Sequence, residues 1–576
     1  MYRLTELSLR SPKVTLFILL VITGFLGAGV PHVRSEYGYR VLLGDDHPSI
    51  RNLDRFIERY GGGLPILIVW ECGQNRPCEN VFDVPSLEMA YAVTQALSPL
   101  RDVRLVESPA NAALLVPDHG GFAVRRFMEG GQRAPDADRL ARRALEDPLW
   151  SGTLVSRDGT AGAIVVQPVD TNSETDLSVV GAVQNALAPF EANGFRFSLV
   201  GDPAASVISG QDLAKSTSRL LPLTVTVIAL VLYGLSRSWK QTLIVLATMG
   251  VALSWVLGAL GWLDWPQDGI LEVLSPLVLI VGVCDAIHLL SRYAVEIASA
   301  PGADRDEQLL SAASDVASPC LFMSLTTGAA FASFATSALE TFVRFGLISA
   351  FGVMVCLLLT FSLLPLLARL LSSSSLRPAQ MTETWDRALD AIVRTSERRA
   401  IPILVAAFLS ILLCGIGWAV FLRVDTAWQE LVGHENVFVQ SVRLVEERLR
   451  PSETLEIEIG LPPGSPIEDP GTLRTIASFS DRLSSVEGIG QVRSVLDLVA
   501  WLNRLLHHDD PSFESPGATP RANAEIFELM SFEDPAILGA WVDFDRTHLR
   551  VSAEAPLLSH ANREKVISEV DRKSVV

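Results

Sequence analysis

The sequence has 576 residues, room for about three to five units at ~100–200 residues per domain. Hydrophobic residues make up 49% and charged ones 19%, too apolar for a typical soluble protein, so membrane spans with large water-facing parts are expected. The 47 Lys+Arg against 65 Asp+Glu give a net charge of −18, which disfavours a phosphate-binding, nucleic-acid role, and 6 Cys exclude a disulfide-built scaffold.

Charge-free apolar runs fall at 14–30, 220–235, 241–263, 316–339, 345–368 and 400–422. Each approaches the ~20 residues that cross ~30 Å of hydrocarbon. A seventh run, 273–284, is interrupted by Asp285 and His288. Arg3, Arg10 and Lys13 precede the first run, Arg237 and Lys240 follow the second, and Arg369, Arg377, Arg387, Arg394, Arg398 and Arg399 precede the last. The stretch 264–272 holds no Lys or Arg. The positive-inside rule then puts the N-terminus in the cytoplasm and two large segments outside.

The chain repeats itself. Leu42-Leu43-Gly44-Asp45-Asp46-His47 matches Leu431-Val432-Gly433-His434-Glu435-Asn436, an offset of 389 residues from Gly44 to Gly433. The same offset carries 14–30 onto 403–419 and sets Ile66-Leu67-Ile68-Val69 beside Leu455-Glu456-Ile457-Glu458. The repeating unit is one span followed by an exported domain. Equivalent domains share a compartment only if an odd number of crossings separates the first span from the last. The segment around Asp285, roughly 271–292, must therefore be a true fourth span.

The first exported segment is patterned as a helix at 48–60, a strand at 64–70, a helix at 85–97 and a strand at 103–107. Further on come a strand at 161–167, a helix at 174–192 and a strand at 195–200. Such units predict an α+β, ferredoxin-like domain of split βαβ type. Gly61-Gly62-Gly63 reads as a helix stop rather than a phosphate cradle. Trp385, Leu389, Ile392 and Val393 share one helical face, predicting an amphipathic helix on the inner leaflet, with packing against the membrane bundle as the alternative. The expected architecture is a polytopic α-helical membrane protein: first span 1–30, exported domain 31–215, spans two to six 216–371, cytoplasmic linker 372–399, seventh span 400–422 and second exported domain 423–576.

This layout resembles the resistance-nodulation-division superfamily of transporters. Gly282-Val283-Cys284-Asp285-Ala286-Ile287-His288-Leu289-Leu290-Ser291-Arg292-Tyr293 looks like its fourth-span signature, in which one or two acids precede an Ile-His pair. Glu340-Thr341-Phe342-Val343-Arg344-Phe345-Gly346 and Leu363-Leu364-Pro365-Leu366-Leu367 resemble the start and end of its sixth span. The nearest branch is the lipid-exporting one: the mycobacterial large membrane proteins, the hopanoid transporters and, in spans two to six, the sterol-sensing domains. Two departures stand out. Cys284 precedes Asp285, leaving one carboxylate. Five further spans that the resemblance implies are absent before Val576, so the expectation is a gene that continues past this residue.

Asp285 and His288 are the candidate proton relay, with Arg292 a further turn along and Thr326 and Thr327 of span five as supporting polar groups. The competing reading makes Asp285 a hydrogen-bonded anchor that never titrates. Cys72 and Cys78 flank a five-residue loop in the exported domain and are expected to form a disulfide. Cys284, Cys320, Cys356 and Cys414 are expected to pack. His507-His508-Asp509-Asp510 has no second cluster at ligand spacing, so a solvated helix end is expected and no metal. Hydrolase, P-loop and Cys-x-x-Cys motifs are absent, and no catalytic residue is assigned. The expected function is export of lipids or other hydrophobic molecules across a bacterial inner membrane, driven by the proton gradient without a cofactor. A non-transporting lipid-binding or sensing protein is the alternative. Cargo lipid and the membrane are the expected partners; a homo-oligomer or a periplasmic accessory protein stays open.

Overall fold

The computed structural model describes the chain except residues 62, 119–120, 148, 301, 372–382, 422–436, 450–453, 534–537, 556–564 and 571–576. The 431–436 half of the repeat motif, Gly62 and Arg377 lie outside the described residues. The chain divides into two compact units. One is helical, Met1–Ile50 with Ser209–Leu422; the other is mixed α/β, Arg51–Ile208 with Arg423–Val576.

Among the described residues seven helices are long and apolar enough to cross a membrane. Span one is Pro12–His32, span two Asp202–Ser236, span three Trp239–Trp262 and span four Leu271–Ser299. Span five is Arg305–Thr336, span six Glu340–Ala368 and span seven Ala400–Phe421. Span four runs unbroken through Asp285 and His288, because a helix closes its backbone hydrogen bonds within itself. Buried Val245, Met249, Ala252, Val256 and Leu260 form a stripe along span three that packs against Val278, Leu279, Ala286 and Leu289 of span four and the buried length of span six. Span one docks on span three through two indoles. Trp255 Nε1 donates to Thr23 Oγ1 and Trp262 Nε1 to the Phe25 carbonyl, each at 2.9 Å. Trp255 is buried, so its indole N–H needs such a partner, whereas Trp262 is exposed.

The segment after span one belongs to the helical unit. Gln267 N donates to the Arg34 carbonyl at 2.7 Å, and Glu36 N to the Gln267 carbonyl at 3.1 Å. Gly44, at φ +89°, abuts the Glu340 carboxylate, where any Cβ would collide. The first unit boundary therefore falls after Ile50 rather than at residue 31, and the second falls at Ser209, since Gly210 lies against the Ser35 backbone.

In the mixed unit, β1 (Ile66–Glu71), β2 (Val103–Glu107), β7 (Ala161–Pro168) and β8 (Phe197–Val200) form an antiparallel sheet in the order β2-β7-β1-β8. Helix Val84–Leu97 joins β1 to β2 and helix Ser173–Glu191 joins β7 to β8, two interleaved βαβ units. Asn172 caps the second helix, its side chain accepting from Thr175 N at 2.8 Å. Ile66, Ile68 and Trp70 send one face of β1 into the core against Leu87, Val93, Val180 and Val183. Between β2 and β7 lies an insertion that the sequence pattern does not announce. It comprises hairpin β3 (Leu114–Asp118) and β4 (Gly121–Arg125), the short ladder β5 (Met128–Glu129) and β6 (Gln132–Arg133), and helix Ala137–Glu146. The strands are too short to show a period, whereas helix Ala137–Glu146 buries Ala137, Leu140 and Ala144 on one face, a helical pattern the sequence reading passed over.

The second domain repeats the design. Here β9 (Thr454–Gly460), helix Pro470–Ser484, β10 (Val492–Ser494) and β11 (His548–Glu554) give the order β10-β11-β9. The repeat reaches the antiparallel strand pairing, with the partner strand slipped by two residues. Ile66 pairs with Val166 and Ile68 with Ile164, while Leu455 pairs with Ala553 and Ile457 with Val551. Helix Val437–Arg448 covers the other face of the first sheet, laying Phe438, Val442 and Val445 on Val69, Ala163 and Val200. Arg448 reaches Asp158 at 3.2 Å, and Arg143 pairs with Asp509 at 3.0 Å.

Candidate functional site

Asp285 is fully buried in span four. Ser324 Oγ of span five donates to its Oδ2 at 3.3 Å, and the Cys320 thiol, one turn before Ser324, faces the same carboxylate. Its Oδ1 has no hydrogen-bond partner among the described residues. The walls close tightly because Gly282, one turn before Asp285, carries no side chain. A Cβ there would run into the sulfurs of Met249 on span three and Cys356 on span six. Cys356 Sγ donates to the Val278 carbonyl at 3.5 Å.

The other expected site residues stand elsewhere. His288 is exposed on the surface of span four. Arg292 is committed to ion pairs, with Asp315 of span five and Glu296 one turn on, both at 2.7 Å. Thr326 is exposed and its hydroxyl turns back to the Phe322 and Met323 carbonyls, each at 2.9 Å. Thr327 is half-buried. Span five thus meets Asp285 with Ser324 and Cys320, neither named from the sequence as a partner. The available signal was the spacing of Cys320, Ser324 and Gly328, small residues four apart on one helical face.

Cys72 and Cys78 are bonded, their Cα atoms 4.9 Å apart, and both are buried. Cys320 and Cys356 are buried in the bundle, whereas Cys284 and Cys414 are exposed. Local structure occupies three of the 507–510 side chains. The His507 ring stacks on Phe513 at 3.8 Å and donates from Nδ1 to the Asn503 carbonyl. Asp509 pairs with Arg143 and with Arg504, and Asp510 accepts from Ser512 N at 2.9 Å.

Further buried acids lie outside the spans, Asp268 and Asp147 among them. Asp268 accepts from the Ile270 and Leu271 N–H groups, each at 2.8 Å, and from the Thr341 hydroxyl, capping the start of span four. Burial pushes its carboxyl up. Asp147, in the first α/β domain, is pushed up to about 6 by burial, against the opposing hydrogen bond from Leu149 N.

Comparison with known proteins places this arrangement. The profile of the MMPL family matches residues 88–399, more than half of the chain, including spans two to six with Asp285 and Ser324. The chain belongs to the MMPL family. The membrane protein MJ1562 of Methanocaldococcus jannaschii is 22% identical to it over 370 residues, 63% of this chain and 92% of that protein. MMPL proteins are membrane transporters of hydrophobic substrates rather than enzymes. The seven apolar helices make this MMPL chain a multi-pass membrane protein.

Proposed function

We propose that this MMPL protein exports lipids or other hydrophobic molecules, driven by the proton gradient, with Asp285 as the group that takes up and releases the proton. The observation that carries the reading is a fully buried carboxylate in span four with a single hydroxyl donor and one unpartnered oxygen. An ionisable group inside the bilayer costs a contested ~2.5–17 kcal/mol, so it is kept there for a function. His288 lies about 60° around the helix from Asp285, so the carboxyl is the centre of the relay and the imidazole stands on the surface beside it. In this reading the N-terminus is cytoplasmic and the α/β domains lie outside, where they receive cargo.

A non-transporting lipid-binding or sensing protein is the second reading. The Ser324 bond favours it, since a structural anchor would make the same contact. Proteoliposomes loaded with a pH dye and a fluorescent phospholipid separate the two. Asp285→Asn keeps the shape and the acceptor for Ser324 but cannot titrate. Gradient-driven lipid translocation should fall at least about tenfold in the variant and collapse with a protonophore. Translocation that survives both treatments would leave Asp285 as an anchor, and no translocation by the wild type would favour the non-transporting reading.

A further inference from the structure

Span six contains Pro365. A proline has no N–H, so the Phe361 carbonyl four residues earlier has no donor from its own helix at the i+4 position. In a bundle core such a carbonyl needs another partner. The chain supplies one from its beginning. Helix Tyr2–Arg10 lies against the end of span six, and Thr5 Oγ1 donates to the Phe361 carbonyl at 2.9 Å. Ser8 Oγ, one turn on, donates to the Ser362 carbonyl at 2.7 Å.

The contact is built rather than incidental. Thr5 and Ser8 are 0% and 1% exposed, so both hydroxyls are removed from solvent and need the partners they have. Leu9 joins the apolar core of the bundle. Arg369, just past the proline, donates from Nη2 to the Leu9 carbonyl at 2.8 Å, capping the last turn of the N-terminal helix with a cation. The same guanidinium donates from Nε to Asp306 of span five at 2.8 Å. Spans five and six are thereby tied to the first ten residues at the point where span six is weakest.

We propose that helix Tyr2–Arg10 is a strap on a proline hinge in span six. While it is docked, Thr5 replaces the hydrogen bond that Pro365 cannot make, and the segment after the proline is held. When it undocks, the Phe361 carbonyl is left unmet and the span can bend there. Cys356, beside the Asp285 site, lies nine residues before Pro365, about 13 Å along the helix. The strap therefore holds one end of a wall of that site, whatever cargo or coupling the protein uses.

Hydrogen exchange by mass spectrometry on the full 576-residue chain in lipid nanodiscs tests this. In the wild type, amides of residues 4–10 should be protected. Thr5→Val with Ser8→Ala should speed their exchange about tenfold, together with residues 366–371, while span six before Pro365 stays protected. Thr5→Ser should restore protection. In a Pro365→Ala background the new N–H reaches Phe361, so the effect of Thr5→Val should shrink to a small fraction. Equal effects of Thr5→Val in the two backgrounds, exchange that rises along all of span six, or unprotected residues 4–10 in the wild type would each overturn the proposal. None of these readouts depends on Asp285 or on transport, so they stand or fall apart from the proposed function.

Discussion

Ser324 on span five and Asp285 on span four, 39 residues apart in sequence, are joined by one hydrogen bond from Oγ to Oδ2. The bond is long at 3.3 Å, and the second carboxyl oxygen has no partner among the described residues. In the proposed relay Ser324 would position the acid and the acid would carry the charge change. Ser324→Ala should cost about 1 kcal/mol of stability and lower gradient-driven translocation only partly, leaving it well above the Asp285→Asn level. Thermal unfolding in detergent and the proteoliposome assay measure the two effects. Equal losses in both variants would show that the hydroxyl is as essential to the step as the carboxyl, and not merely a positioning group.

Cys72 and Cys78 close a short loop at the end of β1. In the chain-entropy account a loop this small gives about 2 kcal/mol. Peptide mapping without reductant should find the two linked, and replacing both with Ser should lower the unfolding temperature of the α/β unit without stopping membrane insertion. Free thiols at both positions in protein made under oxidising conditions would contradict the structure.

Asp147 makes a pH-dependent contribution whose direction follows from its burial. Its carboxyl titrates at about 6 in the fold, above the ordinary carboxylate value of about 4. Between those pH values the folded chain keeps a proton that the unfolded chain has released. Stability is therefore greatest at acid pH and falls as pH rises through about 6, by about 3 kcal/mol in total. Asp147→Asn retains the oxygen that accepts from Leu149 N and removes the charge. The variant should unfold at a higher temperature than the wild type at pH 7.5 and at nearly the same temperature at pH 4. A shift of equal size at both would mean that charge burial is not the cause.

Gly282 lets spans three, four and six meet around Asp285. Gly282→Ala forces the new methyl against Met249 and Cys356 and should cost about 1–3 kcal/mol. Met249→Ala opens room for it, so the double variant should recover part of the loss caused by the methyl. The check is the fraction of monodisperse protein after heating. No recovery in the double variant would place the clash on Cys356.

The seven spans, the four strands of the first sheet and the acid in the fourth span were legible in the sequence because they are local properties. An apolar run long enough to cross a bilayer shows its length wherever it packs, and an acid interrupting it shows its cost. The 389-residue offset also survives in weak identity, and it carries Ile66 and Ile68 onto Leu455 and Ile457, whose antiparallel partners follow with a slip of two residues. Unit boundaries were less legible. Residues 33–47 look like the start of a water-facing domain, yet backbone bonds to Gln267 and the contact of Gly44 with Glu340 bind them to the helical unit.

The sequence by itself determined which segments enter the membrane and that span four brings an ionisable group with it. Tertiary structure decided which side chains meet that group. Each residue turns a helix by about 100°, so His288, three residues past Asp285, stands about 60° off its face, enough to pass from buried to exposed. Thr326 lies about 160° around span five from Ser324 and turns back on its own helix, leaving Ser324 to reach the carboxylate. Spacing fixes the angle between two residues on one helix. Only packing against the neighbouring spans fixes where that helix points, and with it the partners of Asp285.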